Sequence, residues 1–405
     1  MNSKTKPRVL FLNRSYWPDM EATGQLLTAL CEGLASDFDV HVLAGQPNAT
    51  SSEEDFSTTA SRNSVTIHRV KHTTWPKRNM ALKAINFLSF VWACRRQIHK
   101  LPQPDIVVFE TDPFLLPFVA SQLAKKTGCR MVGYLQDIYP DVAVALGKVS
   151  NNWPIRRLRK SLFSIYRRCD RMVVLSRDMK QLLLEGGIEE RQVRIVPNWA
   201  DTEAIQPVDS ANRFTEKFQL QGKFVAMYSG NLGLTQRLEQ FVEAASLLKD
   251  EPDIQFVFVG RGARRPELER QVAELQLNNV MFCDYQPLDE LSHSLSAADL
   301  HLIPLTESLS RCLMPSKLYG ILAAGRPYLT NAPEDSELYH VTTSEDVGFT
   351  VKAGSAEAIA ALIRNARSDQ QRLTRMGQAA RRLALDQYTP AHSIDAFSRT
   401  LTEVA

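Results

Sequence analysis

At 405 residues, 44% hydrophobic and 23% charged, the chain has the composition of a globular protein of two or three domains. That excludes a collagen-like, disordered or disulfide-scaffold chain, and no apolar run approaches the roughly 18 residues of a membrane span. The net charge of +3 hides an asymmetry: residues 1–200 hold 28 Lys and Arg against 18 Asp and Glu, whereas residues 201–405 hold 20 against 27. The basic half predicts an anionic partner, such as phosphate, nucleic acid or an acidic membrane surface, with a merely solubilising surface as the plainer reading.

The polar stretch Met1–Pro7 lacks the apolar core of a signal peptide. Short β-rich apolar runs then alternate with amphipathic stretches. The predicted strands of the first half are Arg8–Asn13, Asp39–Ala44, Val65–Val70, Asp105–Phe109, Arg130–Leu135, Arg171–Leu175 and Val193–Val196. Helices are predicted over Gly24–Ser36, Met80–His99, Leu115–Lys126, Pro154–Arg168 and Arg177–Glu185. The Thr/Ser/Glu-rich residues 49–64 read as a mobile surface loop. The pattern breaks at Pro197–Pro207, and residues 208–222 are polar and irregular, as a linker would be.

The second half resumes with strands at Phe224–Ser229, Ile254–Val259, Val280–Cys283, Leu300–Pro304, Pro327–Thr330 and Gly348–Val351. Its helices are Arg237–Lys249, Pro266–Leu275, Leu288–Ala297, Lys317–Ala324 and Ala356–Asn365, and two more follow at Asp369–Tyr388 and Ala391–Val404. Such alternation predicts an α/β chain of two doubly wound, Rossmann-like domains with parallel sheets covered on both faces. Two such domains facing each other would set their strand C-termini around one cleft, where ligands bind. The six cysteines (31, 94, 129, 169, 283 and 312) form no CxxC pair and read as reduced core thiols, without a zinc site.

Chemistry is expected in the loops after the strands. The first strand leads through Asn13–Pro18 to Thr23-Gly24-Gln25 at a helix start, a turn able to present backbone N–H groups to an anion. No GxGxxG follows that strand and no GxxxxGK[ST] occurs, which removes the main support for a simple dinucleotide or P-loop site. Gly230-Asn231-Leu232-Gly233 with Gln236-Arg237, and Gly260-Arg261-Gly262, are two strand-to-helix turns suited to a diphosphate, or simply tight turns. Gln136-Asp137 and Asp141 follow another strand, Asp141 being equally readable as a helix N-cap. In Pro315-Ser316-Lys317-Leu318, a lysine in the first turn of a helix opposes the helix dipole unless a phosphate docks on it; the plainer reading is a solvated lysine.

At these residues the sequence resembles family 4 of the GT-B glycosyltransferases, and most of all the branch that builds capsular, colanic-acid-type and O-antigen polysaccharides. The resemblance runs from Arg8 to about Tyr388. It rests on Asp170–Ser176 with Val196–Asp201, Tyr228–Gly233, Pro315–Tyr319 and Ala324–Pro327, and on the Gln136–Asp141 stretch for the branch. It implies a GT-B fold: an acceptor-side domain over residues 1–200, a nucleotide-sugar domain over 201–375, and helices over 376–405 packing back on the first. It implies transfer of a sugar from a nucleotide-sugar to a glycan or polyprenyl-diphosphate-linked acceptor with retained configuration, without cofactor or metal. The leaving phosphate oxygen would help to deprotonate the acceptor.

The resemblance assigns Asp137, Gln136 and Lys317 to catalysis. It assigns Gly24, Gly230, Asn231, Gly233, Gln236, Arg237, Gly260, Arg261, Ser316, Lys317 and Leu318 to the donor, and Asp141 and Thr23 to the acceptor side. Two glutamates common in the family are replaced here by Cys312 and Gly320. Its usual Arg and Lys in the glycine loop fall on Asn231 and Gln236, and its first-domain His on Gln136. Lys317, Arg237 and Arg261 are the cations expected to replace the missing charge. A non-catalytic GT-B partner subunit and a GT-B nucleotide-sugar epimerase are the alternatives; no recognisable nucleic-acid module is present. Two basic stretches interleaved with aromatics, Trp75–Lys100 and Trp153–Arg168, predict a cytoplasmic protein lying peripherally on an anionic inner membrane face.

Overall fold

The computed structural model describes residues 6–19, 21–47, 58–75, 80–233, 236–352 and 354–405. The chain forms two compact units, one of residues 1–197 with 390–405 and one of residues 198–389.

The first unit is built on eight strands: β1 (Arg8–Leu12), β2 (Asp39–Gly45), β3 (Thr59–Arg62), β4 (Val65–Val70), β5 (Ile106–Phe109), β6 (Arg130–Tyr134), β7 (Arg171–Val174) and β8 (Val193–Ile195). Their order is β3-β4-β2-β1-β5-β6-β7-β8, parallel except for β3. β1 and β5 are buried along almost their whole length, as expected of central strands covered on both faces. The order reverses between β1 and β5, so the loops leaving these two strands diverge and open a crevice at the sheet's C-terminal edge.

The second unit carries β9 (Phe224–Ser229), β10 (Ile254–Val259), β11 (Val280–Cys283), β12 (Leu300–Ile303), β13 (Tyr328–Thr330) and β14 (Gly348–Thr350). The sheet is wholly parallel in the order β11-β10-β9-β12-β13-β14, with its switch point between β9 and β12. Its core sets Phe241, Val242 and Ala245 of the helix Glu239–Leu247 and Ile359 and Ile363 of the helix Ala356–Ser368 against Phe256 and Phe258 of β10.

The structure differs from the sequence reading in several places, the unpredicted helices Asp141–Ala145 and Glu337–Ser344 among them. Residues 59–62 of the expected mobile loop form β3, joined to β4 by Asn63 and Ser64, both with positive φ, in a tight hairpin; the loop's residues 49–57 lie outside the described ones. The expected linker 208–222 contains the helix Arg213–Lys217, capped by Asn212 and anchored by the buried Phe214. The domain division falls at Pro197 rather than after residue 200: Trp199 and Ala200 are buried, and the Ala200 N–H donates to the Tyr388 carbonyl at 3.2 Å.

Lastly, only the helix Pro390–Thr402 joins the first unit, and the helix Gln370–Gln387 stays with the second. Arg381 pins the latter by donating to the carbonyls of Thr202, Ile205 and Ala323. The last helix completes the first core. Its Phe397 is fully buried, with ring centroids 6.1 Å from Phe11 and 5.0 Å from Tyr134. Glu403 then accepts from Arg171 at 2.9 Å and Arg194 at 2.7 Å. Phe397→Ala leaves a cavity beside β1 and β6 and is expected to cost the first unit about 3–5 kcal/mol, read as a lower denaturant midpoint.

Candidate functional site

In the second unit, β9 and β10 deliver two glycine turns side by side. Gly230 and Gly260 have φ of 143° and 142°, a region nearly closed to other residues. A side chain on Gly260 would strike the Gly230 carbonyl. The loops are laced together by the Gly230 N–H donating to Val259 at 2.9 Å and the Leu232 N–H to Arg261 at 2.9 Å. The Tyr228 hydroxyl donates to the Asn231 carbonyl at 2.8 Å and closes the first loop. Asn231 and Arg237 are exposed, Gly233 and Gln236 partly so.

Lys317 opens the helix Lys317–Ala323 and turns its side chain toward this loop. Its ammonium lies 3.5 Å from the centroid of the Tyr228 ring. A Cβ on Gly230 would come within 3.3 Å of Nζ. Nζ is buried and has no hydrogen-bond acceptor among the described residues. Burial pushes its pKa well below the ordinary lysine value. A cation held without an acceptor beside two glycine turns is a site prepared for an anion. Replacing Lys317 by Met keeps the side chain's reach and removes the desolvated charge. The ligand-free variant is expected to be more stable by about 1–3 kcal/mol, with a raised Tm; a purely structural lysine would give the opposite sign.

The other donor-side candidates divide. Ser316 is exposed at the N-cap position and makes no capping hydrogen bond. Leu318 is core: its side chain is fully buried and its N–H is taken by the Pro315 carbonyl at 3.1 Å. Arg261 is held by Asp284 at 2.9 Å, and Arg265 reaches the same carboxylate at 2.6 Å, so Arg261 is a weak substitute for missing charge. Arg237, by contrast, has no carboxylate partner among the described residues. Cys312 is buried, and Gly320 lies 3.5 Å from Leu295 by its Cβ direction, leaving little polar character at either position.

In the first unit, Gln136 and Asp137 directly follow β6. Burial, reinforced by the negative charge of Asp112 and opposed by Lys148, raises the Asp137 carboxyl to about 6. Asp112, just beyond β5, is itself bound by Arg14 at 2.8 Å, and Arg14 also holds Glu21 at 2.8 Å. Asp141 is neither open to solvent chemistry nor an N-cap. It is the first residue of the helix Asp141–Ala145, with Pro140 at the N-cap position, and accepts from the Arg159 Nε at 2.8 and 3.0 Å. Gly24 is buried in the first turn of the helix Ala22–Leu34, where its missing side chain admits Ser15, and Thr23 beside it is partly exposed.

The sequence reading missed a set of buried polar groups at the same sheet edge. Glu110, one residue past β5, is 1% exposed, and neither carboxylate oxygen has a hydrogen-bond partner among the described residues. Burial, then the Asp112 charge, lifts its carboxyl well above the usual range and so favours its protonated form. Asn13 Oδ1 just beyond β1 and Gln46 Nε2 just beyond β2 are likewise buried without partners. His72 follows β4; its Nδ1 donates to the Thr73 carbonyl at 2.8 Å, leaving Nε2 as a buried acceptor. Their one common signal in the sequence is position, at the last residue of a predicted strand or one or two residues beyond it. Among the described residues no cluster of metal-ligating side chains is found, and no helix is long and apolar enough to cross a membrane.

Comparison with known proteins agrees with this geometry. The family model described as Glycosyltransferase Family 4 matches residues 23–204, and that described as Glycosyl transferases group 1 matches residues 210–383. The probable glycosyltransferase WbjE of Pseudomonas aeruginosa is 30% identical over 261 residues, 64% of this chain and 65% of its own length. The putative colanic acid biosynthesis glycosyl transferase WcaI of Escherichia coli (strain K12) is 32% identical over 255 residues, 60% of this chain and 61% of its own. The matches thus span somewhat under two thirds of either relative.

Among solved structures, the sucrose-phosphate synthase of Thermosynechococcus elongatus superposes with a TM-score of 0.79 at 16% identity, covering 98% of this chain and 99% of that one. Anabaena HepE, solved in complex with UDP and glucose, gives 0.74 at 14% identity, covering 97% and 99%. At such identities these likenesses establish the fold, which is GT-B.

Proposed function

We propose a specific reaction for this chain, which belongs to glycosyltransferase family 4: retaining transfer of a sugar from a nucleotide-sugar to a lipid-linked glycan in the synthesis of a surface polysaccharide. The observation that carries the donor half is the buried Lys317 ammonium, aimed at Gly230 with no acceptor of its own. A diphosphate supplies that acceptor and repays the desolvation. In this reading Lys317, the exposed Arg237 and the N–H groups of the glycine turns balance the negative charge that grows on the leaving diphosphate, without a metal. HepE, solved with UDP and glucose, supports a nucleotide-sugar donor, and WcaI, named for colanic acid biosynthesis, supports the polysaccharide.

The acceptor half rests on Asp137, a carboxyl whose raised pKa lets it exchange a proton near neutrality at the end of β6. It orients the acceptor hydroxyl, while the departing phosphate oxygen takes that proton. The lipid carrier places the reaction at the anionic inner face of a membrane, and the basic, aromatic-rich helices of the first unit support this.

Two measurements test the reading. Lys317→Ala should weaken UDP and GDP binding by about tenfold or more, the effect of a lost charge-assisted contact of ~1.5–3 kcal/mol; unchanged calorimetric affinity for both would remove Lys317 from the diphosphate. Transfer should rise with pH through about 6 as Asp137 ionises. Asp137→Asn should flatten that limb and slow transfer about a hundredfold or more, with UDP affinity nearly unchanged. A fully active Asp137→Asn enzyme would leave Asp137 a structural role only.

A further inference from the structure

The first unit carries a second, purely basic groove that the transfer reaction does not use. Its volume is about 830 Å³, and it runs between the helices Leu116–Thr127 and Trp153–Tyr166, beside the end of the helix Met80–Gln97. Six cations line it: Arg95, Lys125, Lys126, Arg157, Lys160 and Arg168. No carboxylate lines it, and among the described residues none of the six has an ion-pair partner. The floor is polar and holds the arginines in place: Arg95 donates to Gln122 at 3.0 Å and Arg168 to Ser121 at 3.2 Å. Lys125, Lys126 and Arg168 stand only a few residues before the first residues of β6 and β7. This is the sheet edge opposite the one that carries Asp137 and Glu110.

Apolar side chains stand around this charge. Trp153 is 66% exposed, with the Arg157 guanidinium 5.8 Å from its ring. Trp92, 60% exposed, precedes Arg95 by three residues on one helix, and Leu88, also exposed, lies one turn before it. Phe118 is exposed within the groove lining itself. Exposed indoles beside uncompensated cations suit the boundary between headgroups and acyl chains, where the ring enters the lipid and the cation meets phosphate. A soluble phosphate compound would use the cations and leave the tryptophans unexplained.

We propose that this groove seats the phosphate headgroups of anionic membrane lipids and docks the first unit on a bilayer by its Trp92 and Trp153 side. The inference deepens the membrane part of the reading above and rests on it, but it is independent of the transfer chemistry. It also changes which residues matter. Arg159, on the same basic helix, is committed to Asp141 and stacks 4.1 Å over Phe163, so it supports the fold rather than the lipid contact.

The test is flotation of the full chain with phosphatidylcholine vesicles, with and without phosphatidylglycerol. Binding is expected only when phosphatidylglycerol is present, and it should fall with added salt. Lys125→Glu with Lys160→Glu, both exposed positions, should lower the partition coefficient at least about 25-fold, at roughly fivefold per cation. Lys249→Glu with Lys352→Glu, equally exposed but on the second unit, makes the same change in net charge and should bind like the unaltered chain. UDP affinity, unchanged in both pairs, checks that they fold and keeps this test separate from that of the donor site. Equal loss in both pairs, or full binding by the groove pair, overturns the groove while leaving a diffuse membrane attraction. Absence of flotation by the unaltered chain, with or without calorimetric binding of inorganic pyrophosphate, overturns the membrane assignment as well.

Discussion

Moving an ammonium group out of water costs several kcal/mol unless an anion or a set of acceptors replaces the lost hydration. Lys317 has neither, and what it does have, the face of the Tyr228 ring, recovers only part of that cost. The surrounding chain is arranged around this deficit. The Tyr228 ring is fixed because its hydroxyl is spent on the Asn231 carbonyl. The Gly230 turn stays close because no side chain intervenes, and it is held in turn by the Gly260 turn pressed against it. A buried, unsatisfied charge beside turns that only glycine permits lowers stability unless a ligand completes it, which is the usual condition of a functional site.

The first unit shows the converse at its own strand ends. There, beside the Gln46 Nε2 donor, the buried groups include acids and acceptors: burial raises Glu110 well above the usual carboxyl range, Asp137 is raised to about 6, and His72 presents a bare Nε2. Arg14, a buried cation at that edge, is already divided between Asp112 and Glu21. In the proposed reaction the second unit thus offers positive charge to the leaving diphosphate. The first offers groups that can accept, hold or share protons, which suits recognition of a sugar hydroxyl better than of a phosphate. The separation of these chemistries onto two sheets follows from strand order, because each switch point exposes only its own neighbouring loops.

Strands and long helices were legible because burial imposes a pattern. Every predicted strand is present within a residue or two, since a parallel strand covered on both faces must be a continuous apolar run. What was illegible had no such pattern. β3 is an edge strand of the sequence Thr-Ala-Ser-Arg, half in water, and so resembles loop. The helix Arg213–Lys217 is a single turn, set by the Asn212 cap more than by periodicity. At the site, Gly230, Gly260 and Lys317 were visible because their residue types are odd for their positions. Glu110 was not, because a glutamate beside an apolar run reads as the residue where the chain returns to water. Leu318 failed in the other direction: its place in a motif said ligand, while its apolar side chain said core.

The charge asymmetry of the sequence resolves in the same local way. Much of the excess of Lys and Arg in the first half is spent on the fold: Arg8 on Asp39, Arg130 on Asp170, Arg159 on Asp141, and Arg171 and Arg194 together on Glu403 of the returning C-terminal helix. These pairs are partly exposed, and each contributes little stability alone. Among the described residues, six cations that no acid answers line one groove, between the helices Leu116–Thr127 and Trp153–Tyr166. A net charge distributed for solubility would be interspersed with carboxylates, since like charges crowded together repel and cost stability. Six of them crowded around a polar floor, with indoles at the margin, are the arrangement from which the proposed lipid contact is argued.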